Sequence, residues 1–156
     1  MPRYVRPFAE LRAGDRETVG GKCASLGEMV GAGLPVPDGF AVTVDAFEDF
    51  RDGSGLRSRL QDLVQGMQDA GPQELQRAHE KAIELILHHP MPQDMEREIT
   101  EGYNALAAQT AARRGLTGPD AAMIPVAVRS SATDEDGDAA SFAGQQETFL
   151  WVSGAE

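Results

Sequence analysis

Apolar residues recur at helical spacing through the middle of the chain. Three stripes with intervals of three and four residues predict helices over about 56–67, 75–89 and 95–114. A shorter stripe predicts a further helix over about 21–32, and Gly33 directly after it is a typical helix-ending residue. The middle of the chain is therefore predicted to be helical.

Both ends of the chain carry short apolar runs that are typical of β-strands. Residues 40–43, 124–128 and 148–152 form such runs, and the first fifteen residues contain another candidate strand. The 124–128 run is apolar enough to be expected in the interior, and Thr43 is well placed to cap a following helix. Strands at both ends around a helical middle predict an α/β or α+β fold.

The charge of the chain excludes one large class of partners. The formal net charge is −11 over 156 residues, whereas non-specific nucleic-acid binding needs a basic surface. Any site for a phosphorylated ligand must therefore be locally basic within an acidic protein. The chain has one cysteine, no secretory signal and no apolar run long enough to span a bilayer, so we expect a cytoplasmic protein without membrane contact.

An arginine and two serines directly follow a predicted strand. The guanidinium of Arg129 offers a fork of donors that suits phosphate oxygens, and the hydroxyls of Ser130 and Ser131 can donate beside it. The alternative for Arg129 is an ion pair with Asp134 or Glu135, and the two serines are also common turn formers. Arg129 is nevertheless the strongest single candidate for an anion site, and the two serines are further candidates beside it.

A second candidate lies near the start of the chain. Gly20 and Gly21 precede Lys22, which falls in the first turn of the predicted helix. A helix N-terminus attracts anions, so a lysine there is favoured only when an anion is close. Lys22 is thus a candidate phosphate ligand, although an exposed lysine is the ordinary alternative.

Four stretches of sequence, in order, resemble the nucleotide-binding domain of the phosphoenolpyruvate synthase / pyruvate phosphate dikinase family. They are YVRPFAEL at 4–11, GGKCASLGEM at 20–29, GLPVPDGF at 33–40, and the segment 126–152. The chain departs from the family's usual text at Trp151, where asparagine is common, and we expect this side chain to pack within the last strand.

The resemblance implies the N-terminal part of an ATP-grasp-like domain. We accordingly predict a single partial domain over 1–156, the N-terminal lobe of the ATP-binding domain, with a helical insert at 45–114. It further implies that ATP is bound and that the Mg²⁺ ligands lie outside this chain. No metal ligand is predicted within it, because the acidic residues that follow Thr133 are more typical of a solvated turn.

The resemblance also extends the set of site residues. It implies that Lys22 and Arg129 contact phosphate as catalytic residues, and that a small-residue loop covers the phosphates. The alternative for this loop is a plain connection between strands. The predicted nucleotide contacts are Lys22, Arg129, Ser130, Ser131, Ser141, Ala143, Gly144 and Gln145.

The function implied is that of the ATP-binding segment of a dikinase-type phosphotransferase. In such enzymes ATP phosphorylates a histidine on another domain, which then phosphorylates pyruvate. The second ATP lobe, the phosphohistidine and the acceptor site are expected on other domains or subunits, and the chain alone is expected to be inactive, as a truncated or separately encoded piece.

Two alternatives stay open. The acceptor could be that of a relative such as phenylphosphate synthase or rifampin phosphotransferase. The chain could also be a non-catalytic, nucleotide-sensing interaction domain, although such a domain would need neither Lys22 nor Arg129.

Overall fold

The computed structural model describes residues 3–53, 55–133 and 147–154. The α-helices are α1 (Arg16–Gly31), α2 (Val44–Asp52), α3 (Leu56–Val64), α4 (Pro72–Leu87), α5 (Gln93–Arg114) and α6 (Pro119–Ala122). The β-strands are β1 (Val5–Pro7), β2 (Phe40–Val42), β3 (Val126–Arg129) and β4 (Thr148–Val152). Short 3₁₀ turns lie at Phe8–Glu10, Ala13–Asp15 and Met67–Asp69.

The described strands form two separate antiparallel pairs. β1 pairs with β2, with Val5 opposite Val42, and β3 pairs with β4, with Arg129 opposite Thr148. The predicted arrangement of strands at both ends around a helical middle is confirmed, and the antiparallel pairing makes the fold α+β.

Two helix ends show why the sequence stops these helices where it does. Gly33 has φ of 74° after α1, and Gly115 has φ of 67° after α5. Behind each glycine, an amide reaches back five residues, from Leu34 to the Met29 carbonyl and from Leu116 to the Ala111 carbonyl, at 3.0 Å in both cases. This is the Schellman arrangement, which glycine permits at little cost, so the predicted ending role of Gly33 is confirmed.

The starts of two helices have a clear physical basis. The hydroxyl of Thr43 accepts the amide of Ala46 at 3.4 Å, which confirms its predicted role at the start of α2. At the start of α4, the Glu74 carboxylate accepts the amide of Gly71 at 3.2 Å, with Pro72 in the first helical position.

The chain divides into two compact units. One comprises residues 1–46 and 94–156, and the other comprises 47–93. The first contains two apolar clusters, one around Leu11 and one around Tyr103. In the second, α3 packs against α4, Leu56 is buried, and the rings of Phe50 and His89 meet edge to face at 4.9 Å. The candidate residues that the structure describes belong to the first unit.

The apolar run at 124–128 is not the interior strand that its composition predicts. Ile124 is buried, but Val128 is 48% exposed and the β3 residues after Val126 are all exposed. The reason is that β3 has one neighbouring strand, and among the described residues no layer covers Val128 and its cross-strand partner Phe149. Strand composition reports propensity, whereas burial depends on what packs against the faces.

The expectation for Trp151 is also wrong. Its side chain is 81% exposed, and its backbone has φ of 62°, in the left-handed region. The β3–β4 register shifts between Val126 and Val128, so that β4 carries an extra residue there. A bulge of this kind turns a residue out of the regular pleat, and Trp151 therefore does not pack within the strand.

Candidate functional site

The lysine segment owes its shape to a break in α1. Gly20 has φ of 80° and ψ of 161°, which is not helical, so the helix restarts at Gly21. Lys22 therefore lies in the first turn of a new helical stretch, as the sequence predicts. Its side chain is half-buried.

The glycine break contacts the segment that follows β3. A Cβ added at Gly20 would lie 2.9 Å from both the carbonyl carbon and the carbonyl oxygen of Ser131, closer than a side chain can approach. Beside it, the amide of Gly21 donates to the carbonyl of Ala132 at 3.2 Å. The structure thus brings together the two stretches of sequence that were singled out separately as anion-binding candidates.

Two side chains strengthen the same contact. The hydroxyl of Ser131 donates to the carbonyl of Val19 at 3.0 Å, and Val19 is only 2% exposed. The guanidinium of Arg16, at the start of α1, donates to the carbonyl of Thr133 at 3.4 Å. Arg16 was missed in the sequence, because an arginine at a helix start carries no signal of its own until the fold brings it to a distant segment.

Arg129 lies two residues before this contact, at the end of β3. Its side chain is exposed, contrary to the partial burial that a buried strand would give it. Alternate residues of a strand face opposite sides, so Arg129 lies on the face of β3 opposite to Val126 and Val128. Among the residues that the structure describes, no carboxylate lies within ion-pair distance of Arg129. Asp134 and Glu135, its alternative partners, lie outside the described residues.

The serines differ from one another. Ser130 is exposed and donates its backbone amide to the carbonyl of Glu147 at 3.3 Å, which extends the β3–β4 pairing by one step. Ser131 is half-buried, and its hydroxyl proton is already donated to Val19. The remaining predicted contacts, Ser141, Ala143, Gly144 and Gln145, lie outside the described residues.

A shallow depression of about 250 Å³ lies beside the glycine break, but its lining does not suit phosphate. Arg16 and Gly21 line it, and so does Glu28, whose carboxylate accepts the amide of Ala13 at 2.8 Å. Neither Lys22 nor Arg129 lines this depression. A carboxylate repels phosphate oxygens, so the candidate anion site is the contact between the two segments and not this depression.

Metal ligands are not grouped in the described part of the chain. Over residues 3–53, 55–133 and 147–154, no three histidine, cysteine, aspartate or glutamate side chains lie close enough together to hold an ion.

The sequence matches one known family over most of its length. The family described as "Pyruvate phosphate dikinase, AMP/ATP-binding domain" matches residues 16–156 of the chain. The chain belongs to this family. The match includes both segments of the dikinase nucleotide-binding domain that meet at Gly20 and Ser131, and it confirms the resemblance stated from the sequence.

Named relatives give the same result. The chain is 40% identical over 156 residues to a probable phosphoenolpyruvate synthase of Methanothermobacter thermautotrophicus, covering 100% of this chain and 22% of that protein. It is 43% identical over 149 residues to the phosphoenolpyruvate synthase of Synechocystis, a match that covers 93% of this chain and 18% of that protein. It is 41% identical over 151 residues to the phosphoenolpyruvate synthase of Escherichia coli, a match that covers 94% of this chain and 18% of that protein.

This dikinase nucleotide-binding domain spans only a small share of its relatives. The chain covers between 12% and 22% of the length of the first three of them, so those proteins contain further domains. Within the described residues, every helix is too short or too polar to cross a bilayer.

Proposed function

We propose that this chain binds ATP for a dikinase-type phosphotransferase resembling phosphoenolpyruvate synthase. ATP phosphorylates a histidine carried by another domain, and the phosphohistidine then phosphorylates pyruvate. The observation that carries the proposal is the direct contact between the Lys22 segment and the Arg129 segment, which come from opposite ends of the chain. Membership of the AMP/ATP-binding domain family supports nucleotide as the ligand.

Each cation has a distinct part in this proposal. Lys22 supplies a compact positive charge at a helix start, where amide groups also favour an anion. Arg129 supplies a planar fork that can hold two phosphate oxygens at once. In a protein of net charge −11, these charges raise the local attraction for ATP where the two segments meet. Phosphoryl transfer depends mainly on such positioning and charge neutralisation.

Further contacts complete the proposed site. Ser130, which is exposed at the strand end, is proposed to donate its hydroxyl to phosphate. The loop residues proposed to cover the phosphates are Ser141, Ala143, Gly144 and Gln145. Ser131 differs from these, because its hydroxyl already donates to Val19.

The rest of the machinery is proposed to lie elsewhere. The described residues lack a metal-ligand cluster, so the carboxylates for Mg²⁺ are proposed to come from the remaining part of an ATP-grasp-like domain. The phosphohistidine and the acceptor site are proposed on further domains, in keeping with the greater length of the relatives. A cytoplasmic location is also proposed, and the single free cysteine, Cys23, is compatible with it.

The test removes each cation in turn from the protein that carries this chain together with the family's other domains. Lys22→Ala and Arg129→Ala are each expected to lower kcat/KM for ATP by about 30- to 1,000-fold, because a charge-assisted phosphate contact contributes about 2–4 kcal/mol in the transition state. Folding stability should change by under about 0.5 kcal/mol, since little packing is lost at an exposed or half-exposed side chain.

Matched controls remove the same groups at exposed positions outside the site. Lys81→Ala on α4 and Arg114→Ala at the end of α5 should leave ATP turnover unchanged. Turnover is measured as ATP- and pyruvate-dependent formation of AMP, and folding by circular dichroism. Full turnover in both site variants, or their loss of activity through unfolding, would refute the assignment. ATP binding without any transfer to a histidine would instead favour a nucleotide-sensing domain.

A further inference from the structure

The two proposed phosphate-binding cations have no shared element to hold them at a fixed spacing. Lys22 lies on α1 and Arg129 lies at the end of β3. Hydrogen bonds join their segments, and one of them runs from the Ser131 hydroxyl to the carbonyl of Val19, 112 positions earlier in the sequence. This bond therefore bears directly on how far apart the two cations stand.

The contact is specified on both sides. Gly20 has a backbone conformation that other residues rarely adopt, and any larger residue there would collide with Ser131. The amide of Gly21 makes a second, backbone hydrogen bond to Ala132 at 3.2 Å. The Ser131 hydroxyl is, with the Arg16 guanidinium, a side-chain group whose removal loosens the contact without introducing a clash.

We propose that Ser131 is a positioning residue, which holds the Arg129 segment against the Lys22 helix and so sets the spacing of the two phosphate-binding cations. This role rests on the proposed function. A hydroxyl has a single proton, and that of Ser131 goes to the Val19 carbonyl. Phosphate oxygens accept hydrogen bonds but do not donate them when ionised, so in this arrangement the Ser131 hydroxyl has no proton left to donate to ATP.

The first measurement examines the contact without nucleotide. Ser131→Ala should speed hydrogen exchange at the amide of Gly21 by about 2- to 10-fold in the ATP-free protein, the range expected when one intramolecular hydrogen bond is lost. Ser58→Ala, which removes an exposed hydroxyl from α3, should leave this exchange rate unchanged. If Ser131 only contacted phosphate, its removal would not alter the ATP-free protein.

The second measurement examines ATP binding through a double-mutant cycle. Ser131→Ala should weaken the Kd for ATP by about 3- to 10-fold in the otherwise unchanged protein. The same change should have little effect in the Arg129→Ala background, because there is no longer a guanidinium to position. An independent phosphate contact would give additive effects instead.

The outcomes separate this role from its rivals. Faster exchange together with a non-additive loss of affinity supports it. Unchanged exchange, or additive losses, would show that Ser131 is not a positioning residue, and faster exchange with unaltered Kd would reduce it to a purely structural contact. Failure of the unsubstituted protein to bind ATP would overturn the proposed function itself, and would be visible before any variant is compared.

Discussion

The backbone of α1 lies very close to the backbone of Leu11 at Gly27, and a side chain added at this position should destabilise the fold. A Cβ added at Gly27 would lie 2.6 Å from the carbonyl oxygen and 2.7 Å from the carbonyl carbon of Leu11, where ordinary contact begins at 3.4 Å. Both atoms belong to the backbone, and Leu11 is completely buried, so neither can rotate away. For Gly27→Ala, the helix must instead move by several tenths of an ångström and lose packing around Leu11.

Two opposing effects decide how much Gly27→Ala changes the free energy of unfolding. Alanine is better than glycine in a helix interior by about 1 kcal/mol. Overpacking of a buried contact costs about 1–3 kcal/mol, and the upper part of this range applies where backbone atoms collide. The net expectation is a loss of about 1–2 kcal/mol, which lowers Tm by about 2–8 °C for a chain of this length.

Gly31→Ala is the matched control on the same helix. Position 31 is one helical turn further on, and an added Cβ there has no neighbour nearer than the side chain of Arg12 at 3.8 Å. This variant should be unchanged or stabilised by up to about 1 kcal/mol, because only helix propensity acts. Thermal unfolding followed by circular dichroism measures the stability of both variants. A Gly27→Ala protein as stable as Gly31→Ala would refute the argument from close approach.

Two further predictions concern the β3–β4 pair. Tyr103→Phe should lower the free energy of unfolding by about 1–3 kcal/mol. The buried hydroxyl donates to the Ile124 carbonyl at 2.9 Å and accepts the Gly154 amide at 2.8 Å, and phenylalanine loses both hydrogen bonds. An unchanged midpoint of urea unfolding would contradict this prediction. Trp151→Asn should stabilise the chain by roughly 1 kcal/mol or less, since asparagine tolerates a positive φ better and little apolar burial is lost at an exposed position. Trp151→Ala retains the strained φ and should show no such gain in the same urea titration.

Local signals along the sequence accounted for most helix and strand positions. The end of α1 before Gly33, the cap at Thr43 and the strand Thr148–Val152 all follow from residues within a few positions of each other. The restart of α1 beside Lys22 was likewise predictable, because a glycine pair is a strong local break in a helix. Family membership was also visible in the sequence, since it rests on four ordered stretches of residues.

Only the tertiary structure shows which of these segments contact one another and which of their residues are buried. The sequence showed two separate anion-binding candidates, but not that the Ser131 hydroxyl donates to Val19 or that Arg16 reaches Thr133, because these partners lie more than a hundred positions apart. It also predicted burial for a strand that is exposed at Val128, and strand packing for Trp151, which a bulge turns outward. Propensity and capping act over a few residues, whereas burial and long-range hydrogen bonds depend on which surfaces the whole chain brings together.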